Sequence, residues 1–287
     1  PLTCIMEGEI PQSTILALSD QPIPDEVRRQ IGAYLDSAAL LGRRTAELHL
    51  ALASARHDPD FTPQPFSKVE QQAFVSSALT LLASNFDLLR RRKDVMPNPV
   101  RQQASEVLSL EDDARERLRL LAERELSVVL TRIHGDYHLG QILFTGSDFV
   151  IIDFEGEPAR SLGERRKKRS PLQDVAGMLR SFHYAAYAPL LQSATPVKLE
   201  GKLDETLQLP AASYWQKWVS ATFLKTYFEI SRGAQFIPES REELALLLDA
   251  FLMDKAVYEL GYELNNRPSW LRIPLDGISQ LLLDPRS

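Results

Sequence analysis

A short stretch of strand-forming residues in an otherwise helical sequence most constrains how this chain can fold. Residues 142–144 and 149–152 are apolar, and a turn sequence around Gly146 separates them. This pattern predicts a β-hairpin, because glycine supplies the backbone conformation that a tight turn needs. Asp136 precedes the hairpin on a predicted loop, and Asp153 follows it directly. Because a hairpin brings the chain back towards its start, we expect the two carboxylates at one site.

Helical periodicity covers most of the remaining sequence. Apolar residues recur every three or four positions, and prolines mark the breaks between such stretches. Ser170 and Pro171 are typical of a helix start, with a capping hydroxyl followed by proline in the first turn. The predicted fold class is therefore α+β, a mainly helical body with one small β-hairpin. The predicted helices cover 25–52, 66–92, 99–125, 172–187, 211–232, 240–265 and 274–283, with a short strand near 128–133 and loops at 58–65 and 191–210.

Three polar residues around the hairpin suit phosphoryl transfer. That reaction needs a carboxylate to orient and deprotonate an attacking hydroxyl, and oxygen ligands to hold Mg²⁺ against nucleotide phosphates. Asp136 fits the first role, and Gln141 and Asp153 fit the second. Glu155 lies two residues after Asp153, where it could bind the metal, contact a sugar or accept a backbone hydrogen bond.

The histidines on either side of Asp136 leave a metallohydrolase as an alternative. His134 and His138 give a His-x-Asp-x-His pattern, and histidine is a common zinc ligand. The other histidines, His49, His57 and His183, form no further cluster in the sequence that would complete a zinc site. The spacing to Asp153 therefore favours the kinase interpretation.

The bulk composition argues against several classes of protein. The 287 residues carry a formal net charge of −6, which disfavours nucleic acid as a partner. The basic run at 165–169 is therefore interpreted as a solvated loop near the active site. No apolar run approaches the length of a membrane span, so no membrane partner is expected, and no secretion signal is recognisable. A single cysteine favours a reducing, cytoplasmic location.

Six longer motifs carry a resemblance to a known family. They lie at 43–49, 134–141, 151–158, 164–166, 170–181 and 255–263. Together they resemble bacterial maltokinases, which belong to the aminoglycoside-phosphotransferase superfamily and share the protein-kinase fold. The likeness is strongest to the maltokinase domain that is fused to a trehalose synthase. Position 141 is glutamine, where the superfamily usually has a metal-binding asparagine.

The resemblance implies a reaction in which ATP and maltose give maltose 1-phosphate for α-glucan synthesis. It implies ATP as phosphoryl donor, Mg²⁺ or Mn²⁺ as cofactor, and a trehalose synthase domain, in cis or in trans, as partner. It also implies that His134 braces the catalytic loop and that Asp174 holds this loop, although a carboxylate is favourable in the first turn of any helix. The alternatives are a kinase for another small hydroxylated substrate and a catalytically silent binding module attached to a trehalose synthase.

Six residues are candidates for substrate contacts. Tyr258 and Tyr262 are four residues apart and share a helix face, which suits either a core position with a solvated hydroxyl or a sugar-binding surface. Arg165 lies in the basic run, where it could position the substrate or contact an anion. The full set is His138, Arg165, Tyr258, Tyr262, Glu263 and Arg267.

A nucleotide-covering lobe is expected to lie outside this chain. Kinases hold phosphates with a glycine-rich loop and with a lysine on an early strand. Here no lysine precedes Lys68, and Gly8 stands alone, with the next glycine at Gly32. Residues 1–24 are therefore interpreted as an irregular linker from a missing N-terminal lobe, and residues 25–287 as a C-terminal catalytic lobe. We expect this chain alone to be inactive as a kinase.

Overall fold

The computed structural model describes residues 11, 13–55, 57–192 and 205–283. Within these ranges the chain forms eleven α-helices and four short β-strands. The helices are α1 (Ile15–Ser19), α2 (Asp25–Ile31), α3 (Tyr34–Ala53), α4 (Lys68–Arg92), α5 (Asn98–Ser109), α6 (Glu111–Glu123), α7 (Leu162–Arg165), α8 (Leu172–Gln192), α9 (Glu205–Ile230), α10 (Arg241–Asn266) and α11 (Arg272–Leu283). The strands are β1 (Gln64–Pro65), β2 (Val129–Leu130), β3 (Ile142–Phe144) and β4 (Phe149–Ile151).

In the described part of the chain the strands form two small antiparallel sheets. β3 and β4 form the predicted hairpin, with Ile142 opposite Ile151 and Phe144 opposite Phe149. β2 corresponds to the predicted strand near 128–133, and it pairs with β1. β1 has no strand signal in the sequence, because it is two residues long and one of them is a proline. The predicted mainly helical fold with one hairpin is therefore confirmed.

Two predicted helices are each divided in the structure. α2 and α3 are separate because Gly32 ends α2 with a φ of 66°, a conformation that glycine adopts without strain. The stretch predicted as one helix at 99–125 is interrupted at Leu110, which ends α5 and precedes α6. In both cases the apolar period continues across the break, so periodicity alone does not reveal it.

Two other predictions are wrong in part. The sequence predicts no regular element at 1–24, but α1 forms there. The Thr14 hydroxyl caps this helix by accepting the Ala17 N–H at 3.2 Å, and Leu16 and Leu18 are buried. Residues 191–192 and 205–210 are predicted as parts of a loop, but they belong to α8 and α9. Residues 1–10, 12 and 193–204 lie outside the described residues.

The core fixes α8 from two sides. Phe182 of α8 and Phe223 of α9 are fully buried, and their ring centroids lie 5.6 Å apart. α8 also packs along α10, while α3 packs along α9. The N-terminal half of α8 is therefore a rigid support for the loop that precedes the hairpin. Among the helices that the structure describes, none is both long and apolar enough to cross a bilayer.

Candidate active site

His134 joins the two acidic segments of the site. It begins the loop of residues 134–139, which we call the His–Gly–Asp loop. Its Nε2 nitrogen donates a hydrogen bond to the Ile152 carbonyl oxygen at 2.8 Å, so its Nδ1 nitrogen accepts the Asp136 backbone N–H at 3.3 Å. Both nitrogens of a neutral imidazole are thereby occupied. One side chain thus contacts the backbone of Asp136 and that of the residue before Asp153.

Asp174, in the first turn of α8, anchors the start of the His–Gly–Asp loop. Its carboxylate accepts the backbone N–H groups of His134 and Gly135 at 2.8 and 2.9 Å. It also accepts a hydrogen bond from Nε2 of the buried His49 at 3.2 Å, so the Nδ1 of that ring accepts the Tyr227 hydroxyl at 2.9 Å. Burial raises the pKa of Tyr227 well above its usual value, so the phenol stays a hydrogen-bond donor.

A glycine and a serine further along α8 fit the rest of the His–Gly–Asp loop. Gly177 lies so close that an added Cβ would be 2.6 Å from the Tyr137 carbonyl oxygen. The Ser181 hydroxyl oxygen accepts the Leu139 N–H at 3.0 Å. On the opposite side, the Tyr137 hydroxyl bonds to the Thr45 hydroxyl of α3 at 2.8 Å. The loop is therefore held between α8 and α3 at several points.

Gln141 and Asp153 meet at the open end of the hairpin. The Gln141 amide nitrogen donates a hydrogen bond to an Asp153 carboxylate oxygen at 2.9 Å. This leaves the amide oxygen and the second carboxylate oxygen as candidate metal ligands. Asp153 is exposed, and it is the only non-glycine residue with a left-handed φ, 64°, among the described residues. Glu155 is exposed as well.

The donor set suits a cation that arrives with a nucleotide. In the part of the chain that the structure describes, no group of three or more His, Cys, Asp or Glu is placed to hold a metal by itself. Mg²⁺ is usually bound by one or two carboxylates together with water and substrate phosphates, so Gln141 and Asp153 fit it. The zinc alternative does not fit, because the hydrogen bonds of His134 use both of its ring nitrogens.

Asp136 borders a cavity of about 830 Å³ between the His–Gly–Asp loop and α10, which we call the central cavity. Its side chain is 17% exposed. Tyr258 lines the cavity too, and burial together with the nearby negative charge of Glu157 raises the pKa of Tyr258 to about 12. The Lys255 amine lies 5.0 Å from the centre of the Tyr258 ring. Several charged residues of this lining are not among the predicted site residues, and they include Glu157, Arg160, Asp254 and Lys255.

Two other predicted substrate contacts lie near the central cavity. The Nε2 nitrogen of His138 is 3.8 Å from Oδ2 of Asp136. Burial lowers the pKa of His138 more than the neighbouring Asp136 raises it, which favours the neutral ring. Arg165 instead donates hydrogen bonds to the carbonyl oxygens of Arg160 and Pro158, at 2.9 and 2.8 Å. Arg165 therefore supports the segment that carries a lining residue and is not itself part of the lining.

The remaining predicted substrate contacts form a separate cluster at the C-terminal end of α10. Glu263 is 1% exposed, accepts the Tyr184 hydroxyl at 3.0 Å and pairs with Arg267 at 2.6 Å. The Arg267 guanidinium lies over the rings of Tyr262 and Trp270, 5.2 and 4.5 Å from their centroids. The helix face that the sequence predicts as one sugar-binding wall is therefore divided between the central cavity and this cluster.

The curated proteins with similar sequences include two glucosamine kinases. The chain is 25% identical over 301 aligned residues to a glucosamine kinase of Mycolicibacterium smegmatis. The alignment covers 94% of this chain and 63% of that protein. It is 27% identical over 176 aligned residues to a glucosamine kinase of Streptacidiphilus jiangxiensis, and this alignment covers 56% of this chain and 34% of that protein. The chain thus spans less than two thirds of the length of these relatives.

Solved structures show the same fold. A glucosamine kinase in complex with glucosamine, ADP and inorganic phosphate matches with a TM-score of 0.68 and 20% identity, over 93% of this chain and 58% of that one. Crystal form B of a glucosamine kinase matches with a TM-score of 0.70 and 21% identity, over 96% of this chain and 60% of that one. The predicted kinase-like fold is therefore confirmed.

The family assignment depends on a match that covers residues 21–192, from before α2 to the end of α8. This range is more than half of the chain, and it includes Asp136, Gln141 and Asp153. It also includes the residues of α8 that hold the His–Gly–Asp loop. The chain belongs to the phosphotransferase enzyme family known as APH.

Proposed function

We propose that the protein containing this chain is an ATP-dependent sugar kinase in which Asp136 is the general base. One arrangement supports this proposal most directly. Asp136 borders the polar central cavity, and His134 ties its backbone to the strand end that presents Asp153. A base and a metal-binding carboxylate are thereby held in a fixed relation, and phosphoryl transfer depends on such positioning.

The proposed reaction assigns the proton to Asp136. The acceptor hydroxyl gives its proton to the Asp136 carboxylate while its oxygen attacks the γ-phosphorus of ATP. A new oxygen–phosphorus bond forms, the bond from the γ-phosphorus to the β–γ bridging oxygen breaks, and ADP leaves with that electron pair. Mg²⁺ or Mn²⁺ supplies charge neutralisation at the phosphates. Gln141 and Asp153, with Glu155 as a further candidate, are the residues that would hold it.

We propose maltose as the acceptor and maltose 1-phosphate as the product. The support for maltose is the set of motifs from residue 43 to residue 263 that resemble maltokinases. Glucosamine is the second candidate, because the curated relatives are glucosamine kinases. A trehalose synthase domain as the source of maltose and a cytoplasmic location stay predictions. Two further predictions also remain. The gene sequence upstream of Pro1 tests whether a separate nucleotide-covering lobe exists, and an assay of the isolated chain tests whether this chain alone is inactive.

The deciding experiment is a direct product analysis with the full-length protein. ATP, Mg²⁺ and either maltose or glucosamine are incubated with the protein, and phosphorus NMR follows ATP consumption and product formation. We expect an anomeric sugar phosphate with maltose. Phosphorylation of glucosamine alone would refute maltose as the acceptor while leaving a sugar kinase. A protein that consumes no ATP with any sugar would refute the kinase proposal and favour a silent binding module.

A further inference from the structure

Asp254 is a carboxylate of the central cavity to which the proposed reaction assigns no role. It lies on the wall formed by α10, facing the same space as Asp136. Phe251 and Tyr258 stand three and four residues away along α10, and both also line the cavity. These spacings put the three side chains on one face of the helix. Asp254 is therefore part of the surface that an acceptor molecule would meet on its way to the base.

Asp254 is partly buried and accepts no hydrogen bond from any residue that the structure describes. The groups that act on it, Arg160, Lys255 and Arg169, do so through space. Burial raises its pKa, and the three cations oppose this shift. A partly buried carboxylate that accepts no hydrogen bond from the protein is free to accept hydrogen bonds from a bound molecule. The carboxylate therefore gains most from a ligand that brings hydrogen-bond donors into the cavity.

The charges around Asp254 also restrict what that ligand can be. Of the charged groups that the structure describes, only cations act on Asp254 itself, although the acidic Asp136 and Glu157 line the same cavity. An ammonium group that approached Asp254 would therefore meet Arg160, Lys255 and Arg169 as like charges at the same wall. A neutral hydroxyl meets no such repulsion, and it can donate to a carboxylate and accept from a lysine or arginine. Lys255 and Arg160 line the same cavity, so donors and acceptors stand next to one another there.

We infer that Asp254, with Lys255 and Arg160 beside it, is the subsite that binds hydroxyl groups of an uncharged sugar and disfavours amino sugars. The inference rests on the proposed sugar-kinase function and names the class of substrate for the same site. Asp254 contacts the acceptor but takes no proton in the reaction. Its removal therefore changes binding of the acceptor far more than the chemical step or the binding of ATP.

The test compares steady-state kinetics of the full-length wild-type protein and two variants with maltose and with glucosamine. For Asp254→Asn we expect the KM for maltose to rise by about tenfold or more, as for the loss of one hydrogen bond to a charged group. The KM for ATP and kcat should change by less than about threefold. Arg160→Gln should raise kcat/KM for glucosamine relative to maltose severalfold, because it removes one of the repelling charges.

Matched controls separate this subsite from a general loss of fold. Asp112→Asn replaces an exposed aspartate of α6 outside the central cavity, and it should leave every parameter unchanged. If Asp254→Asn melts early, Asp254→Glu keeps the charge and displaces it by one methylene, and the same rise in maltose KM is expected. The inference is overturned if the wild type phosphorylates maltose and both Asp254 variants have the same KM for maltose as the wild type; the proposed function then stands.

Equally, a wild-type preference for glucosamine that Asp254→Asn abolishes would show that the carboxylate binds an ammonium group. No sugar phosphorylation by the wild type would refute the proposed function itself.

Discussion

The anchoring of the His–Gly–Asp loop by Asp174 can be tested with a change of a single atom type. Asp174→Asn keeps the shape of the buried side chain and replaces one carboxylate oxygen by an NH₂ group. In the protein, the two oxygens accept hydrogen bonds from His134, Gly135 and His49. An asparagine offers one acceptor oxygen, so at least one of these buried donors then faces another donor.

The expected destabilisation by Asp174→Asn follows from those three hydrogen bonds. A buried donor without an acceptor destabilises by about 1–3 kcal/mol, and hydrogen bonds to a charged group exceed neutral ones by about 1 kcal/mol. With one donor stranded and two bonds weakened, we expect Asp174→Asn to destabilise the anchored loop by about 3–5 kcal/mol. This loss is a large fraction of the free energy of unfolding of a typical domain, which is about 5–15 kcal/mol.

Hydrogen exchange of the full-length protein, measured by mass spectrometry, reports the loss of stability in the loop peptides themselves. Peptides that cover 131–139 should exchange at least about 100-fold faster in Asp174→Asn, which corresponds to about 3 kcal/mol of lost protection. Asp112→Asn is the matched control, and its exposed side chain should leave exchange within about threefold of wild type. Equal protection of these peptides in Asp174→Asn and wild type would show that Asp174 does not hold the loop.

Three further predictions address the base, the loop packing and a buried histidine. Asp136→Asn should lower kcat by roughly 100-fold or more with little change in ATP binding, measured by steady-state kinetics and nucleotide titration; near-normal kcat would remove its assigned role. Gly177→Ala should destabilise by about 1–3 kcal/mol in thermal or denaturant unfolding, because its Cβ would meet the Tyr137 carbonyl, whereas Gly163→Ala, which meets nothing within 4 Å, should be tolerated. Burial and the nearby positive charge of Arg180 lower the pKa of His183 in the folded protein. Below about pH 6.5 the unfolded chain therefore binds a proton that the folded chain does not, and the free energy of unfolding decreases as the pH is lowered. His183→Gln should show a smaller drop in melting temperature between pH 7.5 and about pH 5.5 than wild type, and an equal drop would contradict this.

The local part of the site could be predicted because its signals are local. The hairpin, the loop before it and the acidic residue after it follow one another within about twenty residues, and strand and turn patterns act over that distance. The order Asp136, Gln141 and Asp153 therefore indicated phosphoryl transfer without any knowledge of packing. The family match and the solved structures agree with that interpretation at the level of the fold.

The tertiary part could not be predicted in the same way. Helical spacing shows that Tyr258 and Tyr262 share a face, but it does not show where the cavity at that face ends. Arg267 folds back over Tyr262, and Glu263 turns towards Tyr184, so that end of α10 makes contacts of its own. The donors to Asp174 likewise come from distant parts of the sequence, and no short-range pattern records such contacts. For the same reason the sequence prediction assigned no site role to Asp254 and Arg160, although it expected the basic run at 165–169 near the active site.

The left-handed backbone of Asp153 limits which substitutions can report on its chemistry. Aspartate, asparagine and glycine adopt a φ of 64° readily, whereas the Cβ of alanine makes it unfavourable by about 1–2 kcal/mol. Loss of activity in an alanine variant would therefore combine a missing metal ligand with a displaced strand end and a weakened contact at Ile152. Asparagine keeps the conformation and removes only the charge. Natural variation at this position should accordingly be confined to a few small residues, for reasons of backbone geometry as well as of metal binding.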